Sequence, residues 1–144
     1  MIQIGFTGTR LGMTPLQLCM ARDWLAGKTS KIEECWLHHG QCVGADAEMH
    51  VIAREFGWKI AGHPPKNQIL RDALQCDVVW QAKPYLVRNR EIVNASSEIL
   101  AAPASDERKP SMHSGTWATI RYARSRRDRL VTIIYPDGSI EFSP

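Results

Sequence analysis

Apolar and polar positions fall in blocks along the chain, and the period of the blocks changes. IQIGFTG (2–8) is a short apolar run that leaves through glycines, the pattern of a buried strand. Thr14 then stands as an N-cap, with Pro15 at the first helical position and Gln17 three residues after the cap. That capping-box pattern predicts a helix to about Gly27. ECWLHHG (34–40) reads as a second strand. In GADAEMHVIAREFG (44–57), Ala45, Met49, Ile52, Ala53 and Phe56 share one helical face, and Gly57 is placed to stop the helix. WKIAGHPP (58–65) is a third strand, broken by Pro64 and Pro65. NQILRDALQC (67–76) predicts a short helix and DVVW (77–80) a short strand.

PYLVRNREIVNA (84–95) gives a helix ending near Ala95, and EILAAP (98–103) is a continuous apolar run suited to a strand covered on both faces. SGTWATIRYAR (114–124) places Trp117, Ile120 and Ala123 together on a further helix. LVTII (130–134) is a last buried strand, PDG a turn, and SIEF (139–142) a short edge strand. Strands alternating with helices predict an α/β fold: one domain over residues 1–144, with a mainly parallel sheet, helices on both faces and a short C-terminal edge hairpin.

The 144 residues suit one domain with a real core, and the apolar (44%) and charged (23%) fractions are those of a globular protein. The net charge of +3 is mildly basic and local, because five arginines lie between Arg121 and Arg129. It admits an anionic ligand without requiring nucleic acid. Met1 runs straight into the first strand pattern, so no signal peptide is expected. No apolar run reaches membrane-spanning length. Cys19, Cys35, Cys42 and Cys76 have no CxxC spacing, and Cys19, Cys35 and Cys76 fall in segments that read as buried. Reduced thiols and a cytoplasmic location are expected, with no membrane partner.

In parallel sheets ligands bind beyond the carboxyl ends of the strands. That rule gathers Gly8-Thr9-Arg10, His39-Gly40, His63-Pro64 and the segment from Pro103 to Thr116 at one edge. Ser114-Gly115-Thr116 opens a helix, where unpaired N–H groups, a glycine and two hydroxyls suit a phosphate. A plain N-cap accounts for the same residues. Arg10 after Gly8 and Thr9 is able to clamp a phosphate or carboxylate, although neither GxGxxG nor a Walker lysine is present. Arg88 and Asn89 interrupt an apolar stretch and suit a phosphate and a sugar or base. Asp46 sits in the first turn of its helix, where the dipole favours a carboxylate; in a nucleotide pocket it would bind ribose hydroxyls. Glu91 is a second carboxylate for sugar chemistry.

His38 and His39 are adjacent on a strand and point to opposite faces, while His39 and His63 are both expected to rise toward the pocket. No pair of histidines has helical i, i+4 ligand spacing, and no metal is expected. The arginines at 121, 124, 126, 127 and 129 read as a solvated face at a helix C-terminus.

GFTGTR (5–10), GQCVGAD (40–46), YLVRNREIV (85–93), EILAAP (98–103) and SGTWATIRYA (114–123) together resemble the SLOG superfamily of Rossmann-like nucleotide-binding proteins, in its YpsA/YspA-like branch. That superfamily includes the Lonely guy phosphoribohydrolases and DprA. The resemblance implies a nucleotide or nucleotide-derived ligand lined by Gly8, Thr9, Arg10, Gly40, Asp46, Arg88, Asn89, Ser114, Gly115 and Thr116. The phosphoribohydrolases carry PGGxGTxxE; here Thr119 stands in place of the glutamate, and His113 and Ser114 in place of the glycine pair. Whether the chain turns a ligand over is therefore left open.

The leading expectation is a nucleotide-binding sensor, sequestering module or enzyme that needs no further cofactor. A homo-oligomer is expected, with Trp80 and its apolar neighbours as a candidate interface. Replacing Arg88 with alanine should then weaken binding without unfolding. The alternatives are an N-glycosidase acting on a nucleoside monophosphate, with Asp46, Glu91 and Arg88 as catalytic groups, and DprA-like single-stranded DNA binding. Nucleic acid is the less favoured partner.

Overall fold

The computed structural model describes residues 1–68, 71–106 and 115–143. Seven strands form one sheet: β1 (Ile2–Gly8), β2 (Cys35–His39), β3 (Lys59–Gly62), β4 (Val78–Val79), β5 (Glu98–Ala102), β6 (Leu130–Ile134) and β7 (Ile140–Ser143). Four helices alternate with them: α1 (Pro15–Lys28), α2 (Ala45–Glu55), α3 (Tyr85–Ala95) and α4 (Gly115–Ser125). The strand order is β4-β3-β2-β1-β5-β6-β7, all parallel except the final β6–β7 pair. This is the expected α/β architecture with its C-terminal antiparallel edge. Strand order reverses direction at β1, so the β1–β5 boundary is the switch point where such sheets open a crevice.

Both faces of the central strands are buried, which explains their near-continuous apolar sequences. On β1 and β5, Ile4, Phe6, Leu100 and Ala102 pack with Met49, Ile52 and Ala53 of α2 and Leu25 of α1. The alternate residues Ile99 and Ala101 face Val93 of α3 and Trp117, Ile120 and Ala123 of α4. The two indoles at the heart of these clusters keep a polar partner, as buried tryptophans do. Trp58 Nε1 donates to Thr29 Oγ1 at 2.8 Å, and Trp117 Nε1 to the Ser105 carbonyl at 3.1 Å.

The capping box on α1 forms as read: Gln17 N donates to Thr14 Oγ1 at 3.1 Å, and Thr14 N to Gln17 Oε1 at 3.0 Å. Gln17 does more, because its Nε2 also donates to the Pro103 and Ile134 carbonyls at 2.8 and 2.9 Å. Thus α1 is fastened to the carboxyl ends of β5 and β6. Gly57 closes α2 at φ 79°, the left-handed conformation its stop position requires.

Two expectations are corrected. Cys19 is exposed, whereas Cys35 is buried and Cys76 half-buried. The described residues of 67–76 form no α-helix. Their donors go elsewhere: Asp72 N donates to the Gln41 carbonyl at 2.9 Å, and Leu74 N to Asp72 Oδ1 at 2.9 Å. An aspartate that bonds the backbone two residues on competes with the helix ladder. Tertiary pairing with the loop after β2, including an Arg71–Cys42 bridge, overrides the local periodicity. Among the described residues, no helix is long and apolar enough to cross a membrane.

Candidate functional site

The loops after β1 and β2 meet the N-terminal half of α3 in one cleft at the carboxyl edge of the sheet. Gly8, Arg10, Gly40, Asp46, Arg88 and Asn89 line it, joined by Phe6, Thr7, Cys42, Tyr85 and Ile92. Six of the ten ligand residues named from the sequence are therefore brought together. Thr9 lies just behind the wall with its groups committed: its N–H donates to Ala102 O, its carbonyl accepts from Ala45 N, and its hydroxyl accepts from Leu11 N. Thr116 is buried in the first turn of α4 and is not a lining residue. Ser114 lies outside the described residues.

Arg88 is 3% exposed, on the buried face of α3. Its Nη1 donates to the Gly40 carbonyl at 2.5 Å and to the His63 carbonyl at 3.0 Å, and its Nε to Asn89 Oδ1 at 2.8 Å. Cys42 Sγ accepts from both terminal nitrogens at 3.6–3.7 Å. The guanidinium thus ties α3 to the ends of β2 and β3. Gly40 is required for this approach, because a Cβ there would stand 2.7 Å from Arg88 Cζ. Removing Arg88 is therefore expected to change stability as well as the cleft wall.

Asp46 Oδ2 accepts from Gly40 N at 3.1 Å and Cys42 N at 3.3 Å, so the carboxylate organises the loop after β2. Burial pushes its pKa up to about 6, opposed by the Arg88 charge and these two N–H donors. A carboxyl that titrates near neutrality in a cleft wall is equipped to exchange a proton or to receive hydroxyl donors. Asn89 supplies the complementary feature. The residue is 7% exposed, its Oδ1 is held by Arg88, and its Nδ2 is buried with no hydrogen-bond partner among the described residues. A buried amide donor left unpaired costs about 1–3 kcal/mol, and this one lies in the wall of the cleft.

Tyr85, the first residue of α3, was not singled out from the sequence. The guanidinium carbons of Arg10 and Arg88 stand 4.7 and 4.8 Å from its ring centroid. Its phenol rests on Gly115 at the start of α4, where a Cβ would fall 2.7 Å from Tyr85 Cζ. Arg10, Arg88 and Gly115, far apart in the chain, thus converge on one ring. The bare glycine at the mouth of α4 is explained by this contact without any ligand.

No protein-family model and no curated protein matches the sequence. Solved structures do match. The molybdenum cofactor binding protein from the phototrophic bacterium Rippkaea orientalis has a TM-score of 0.69 at 17% identity, over 93% of this chain and 76% of that one. DNA processing protein A (DprA) from Streptococcus pneumoniae has a TM-score of 0.66 at 20% identity, over 92% of this chain and 50% of that one. The molybdenum cofactor carrier protein from Chlamydomonas reinhardtii has a TM-score of 0.58 at 20% identity, over 92% of this chain and 75% of that one. The chain has the fold of these proteins. DprA is among the relatives named by the loop motifs, so sequence resemblance and fold agree.

Two histidine clusters flank the cleft, and the parallel register explains them. Because His38 pairs with Ala61 and His39 with Gly62, His63 shares the face of His38 and not that of His39. The expectation that His39 and His63 rise together is corrected on that ground. His63 Nε2 lies 2.9 Å from His38 Nδ1, and His38 Nε2 lies 2.6 Å from Gln3 Oε1. Glu91 Oε1 stands 3.6 Å from His63 Nδ1, and its Oε2 pairs with Lys83 Nζ at 2.8 Å. Glu91 therefore lies beside this pair of imidazoles, held by Lys83, and not in the lining of the cleft. Burial holds His38 at about 4 and His63 at about 3, so both rings are neutral at pH 7.

On the other face, the ligating atoms of His39, His50 and Cys76 lie within 4.8 Å of one another. Their protons are already allocated. Gln41 N–H donates to His39 Nδ1 at 2.9 Å, which puts the ring proton on Nε2, facing His50 Nδ1 at 3.0 Å. A metal at that Nε2 would demand an imidazolate. Burial, with Asp72 adding, also pushes the Cys76 thiol up to about 11, so it is protonated in the free protein. The cluster is built as a hydrogen-bonded pair of histidines.

Proposed function

We propose that the chain binds a nucleotide or nucleotide-derived small molecule in the cleft bounded by Arg10, Asp46, Tyr85, Arg88 and Asn89, as a sensor, a sequestering module or an enzyme. The observation that carries this reading is the buried, unpaired Asn89 amide nitrogen in the cleft wall. It asks for an acceptor that the described residues do not provide, beside a cation in Arg10 for an anionic group and a carboxylate in Asp46 for hydroxyls. Two structures of the same fold are those of proteins that bind or carry a molybdenum cofactor, which adds that cofactor to the ligands worth testing. Titration calorimetry against nucleoside mono-, di- and triphosphates and the molybdenum cofactor tests the reading. Saturable binding to one of them is expected, with about tenfold or greater loss in Arg10→Ala, whose side chain is exposed and leaves the core untouched. Absence of binding across the panel contradicts it.

An N-glycosidase activity on a nucleoside monophosphate is the second reading. It is supported by the near-neutral titration of buried Asp46 beside Arg88. Asp46 supplies the carboxylate in that case, since Glu91 is held by Lys83. Self-association through the exposed β4 edge, where Val78, Val79 and Trp80 are 46%, 51% and 37% exposed, completes the proposal.

A further inference from the structure

We infer that Tyr85 is the gate of the cleft and sets how large a ligand it admits. This rests on the cleft being the binding site. As it stands, the cleft encloses about 10 Å³, roughly the room of one water, although it is lined by a buried carboxylate, a buried arginine and an unpaired amide. The group that closes it is identified by its contacts. The Tyr85 ring receives the Arg10 and Arg88 guanidinium groups at 4.7 and 4.8 Å and covers Gly115 with its phenol.

The ring occupies the place where three of the anion-binding candidates converge, and it offers their cations a π face instead of a negative charge. Its position favours movement. Tyr85 is half-buried at the first position of α3, after Pro84 in an extended conformation, with no side-chain cap fixing the turn. Rotation of the ring outward uncovers Gly115, frees Arg10 and loosens Arg88 over Cys42. An anionic ligand replaces the two cation–π contacts with stronger ion pairs, so it drives the displacement it needs. A ligand without a negative charge gains nothing from Arg10 and Arg88 and is excluded by the ring. The same tyrosine thereby confers selectivity for anionic ligands.

Two arms test the gate. The first uses no ligand: iodoacetamide labelling of Cys42, read peptide by peptide, with buried Cys35 as the internal reference. Tyr85→Ala is expected to label Cys42 at least about tenfold faster than the wild type, with the Cys35 rate unchanged, because only open molecules react. Gly115→Ala, whose Cβ displaces the phenol while keeping the ring, is expected to act in the same direction. The second arm measures association of a nucleoside monophosphate by stopped flow. Tyr85→Ala binds about tenfold faster and Tyr85→Trp slower than the wild type, whereas a ring that merely contacts the ligand leaves association unchanged and speeds dissociation in Tyr85→Ala. Equal Cys42 labelling in all three proteins overturns the gate, whatever binds. Faster labelling with no nucleotide bound by any variant upholds the gate and removes nucleotides as its ligands.

Discussion

At pH 7, Asp46→Asn is expected to be more stable than the wild type, by about 1–3 kcal/mol in urea denaturation. Burial raises the folded-state pKa of Asp46 to about 6, above its ordinary carboxylate value. For a group raised on folding, the folded state binds the extra proton. The associated stability is complete below the unfolded pKa and is lost as the pH rises through about 6. Wild-type stability should therefore decline between pH 5 and pH 7, and the asparagine variant should show a flatter profile there. The amide carbonyl still accepts from Gly40 N and Cys42 N, so the loop after β2 keeps its bonds. Below about pH 4, Asp77 acts in the opposite sense, since, against its partial burial, the Ile60 N–H and Arg54 hold its carboxyl below the usual range. Urea titrations at pH 5, 6 and 7 decide the matter. A destabilised Asp46→Asn with a pH-independent deficit would contradict this account.

Arg88→Ala is expected to lose about 3–5 kcal/mol, and Arg88→Lys to recover only part of it. The guanidinium is 3% exposed and satisfies the Gly40 and His63 carbonyls and Asn89 Oδ1 at once. Alanine leaves those acceptors buried and unpaired, and it strips Asp46 of the charge that offsets its burial. An ammonium has no planar fork with which to reach three acceptors in separate directions. A loss of less than about 1 kcal/mol in the alanine variant would show that the network relaxes without it. Binding losses in Arg88 variants must therefore be corrected for the unfolded fraction, whereas those of Arg10→Ala need no such correction.

Much of this fold was legible because its signals are local. Thr14, Pro15 and Gln17 form their capping box, Gly57 stops α2, and EILAAP is the doubly covered β5. The convergence of Gly8, Arg10 and Gly40 followed from topology, since post-strand loops share one edge, whereas Asp46, Arg88 and Asn89 lie on α2 and α3 and are legible through the GQCVGAD and YLVRNREIV motifs. What was illegible depends on non-local geometry. Glu91 reads as a site carboxylate until Lys83 and His63 are found beside it. The partner of His63 depends on the β2–β3 register, which the sequence does not display. Segment 67–76 carries a helical pattern, but the loop after β2 captures the Asp72 N–H and bridges Arg71. Tyr85 gave no signal of its own. Arg10, Arg88 and Gly115 meet around its ring only in the folded chain, a convergence that the YLVRNREIV motif does not display.

The central claim is that the unpaired Asn89 amide and Arg10 together receive an anionic small molecule. Side-chain ¹⁵N–¹H spectra of the intact chain, with Asn89 assigned by comparison with Asn89→Ala, test it most directly during titration with the tightest-binding nucleotide. The account predicts that the Asn89 Nδ2 protons shift progressively and saturate at the calorimetric stoichiometry, together with the Arg10 Nε signal. Saturable binding that moves other resonances and leaves both of these unchanged would place the ligand elsewhere and contradict the account.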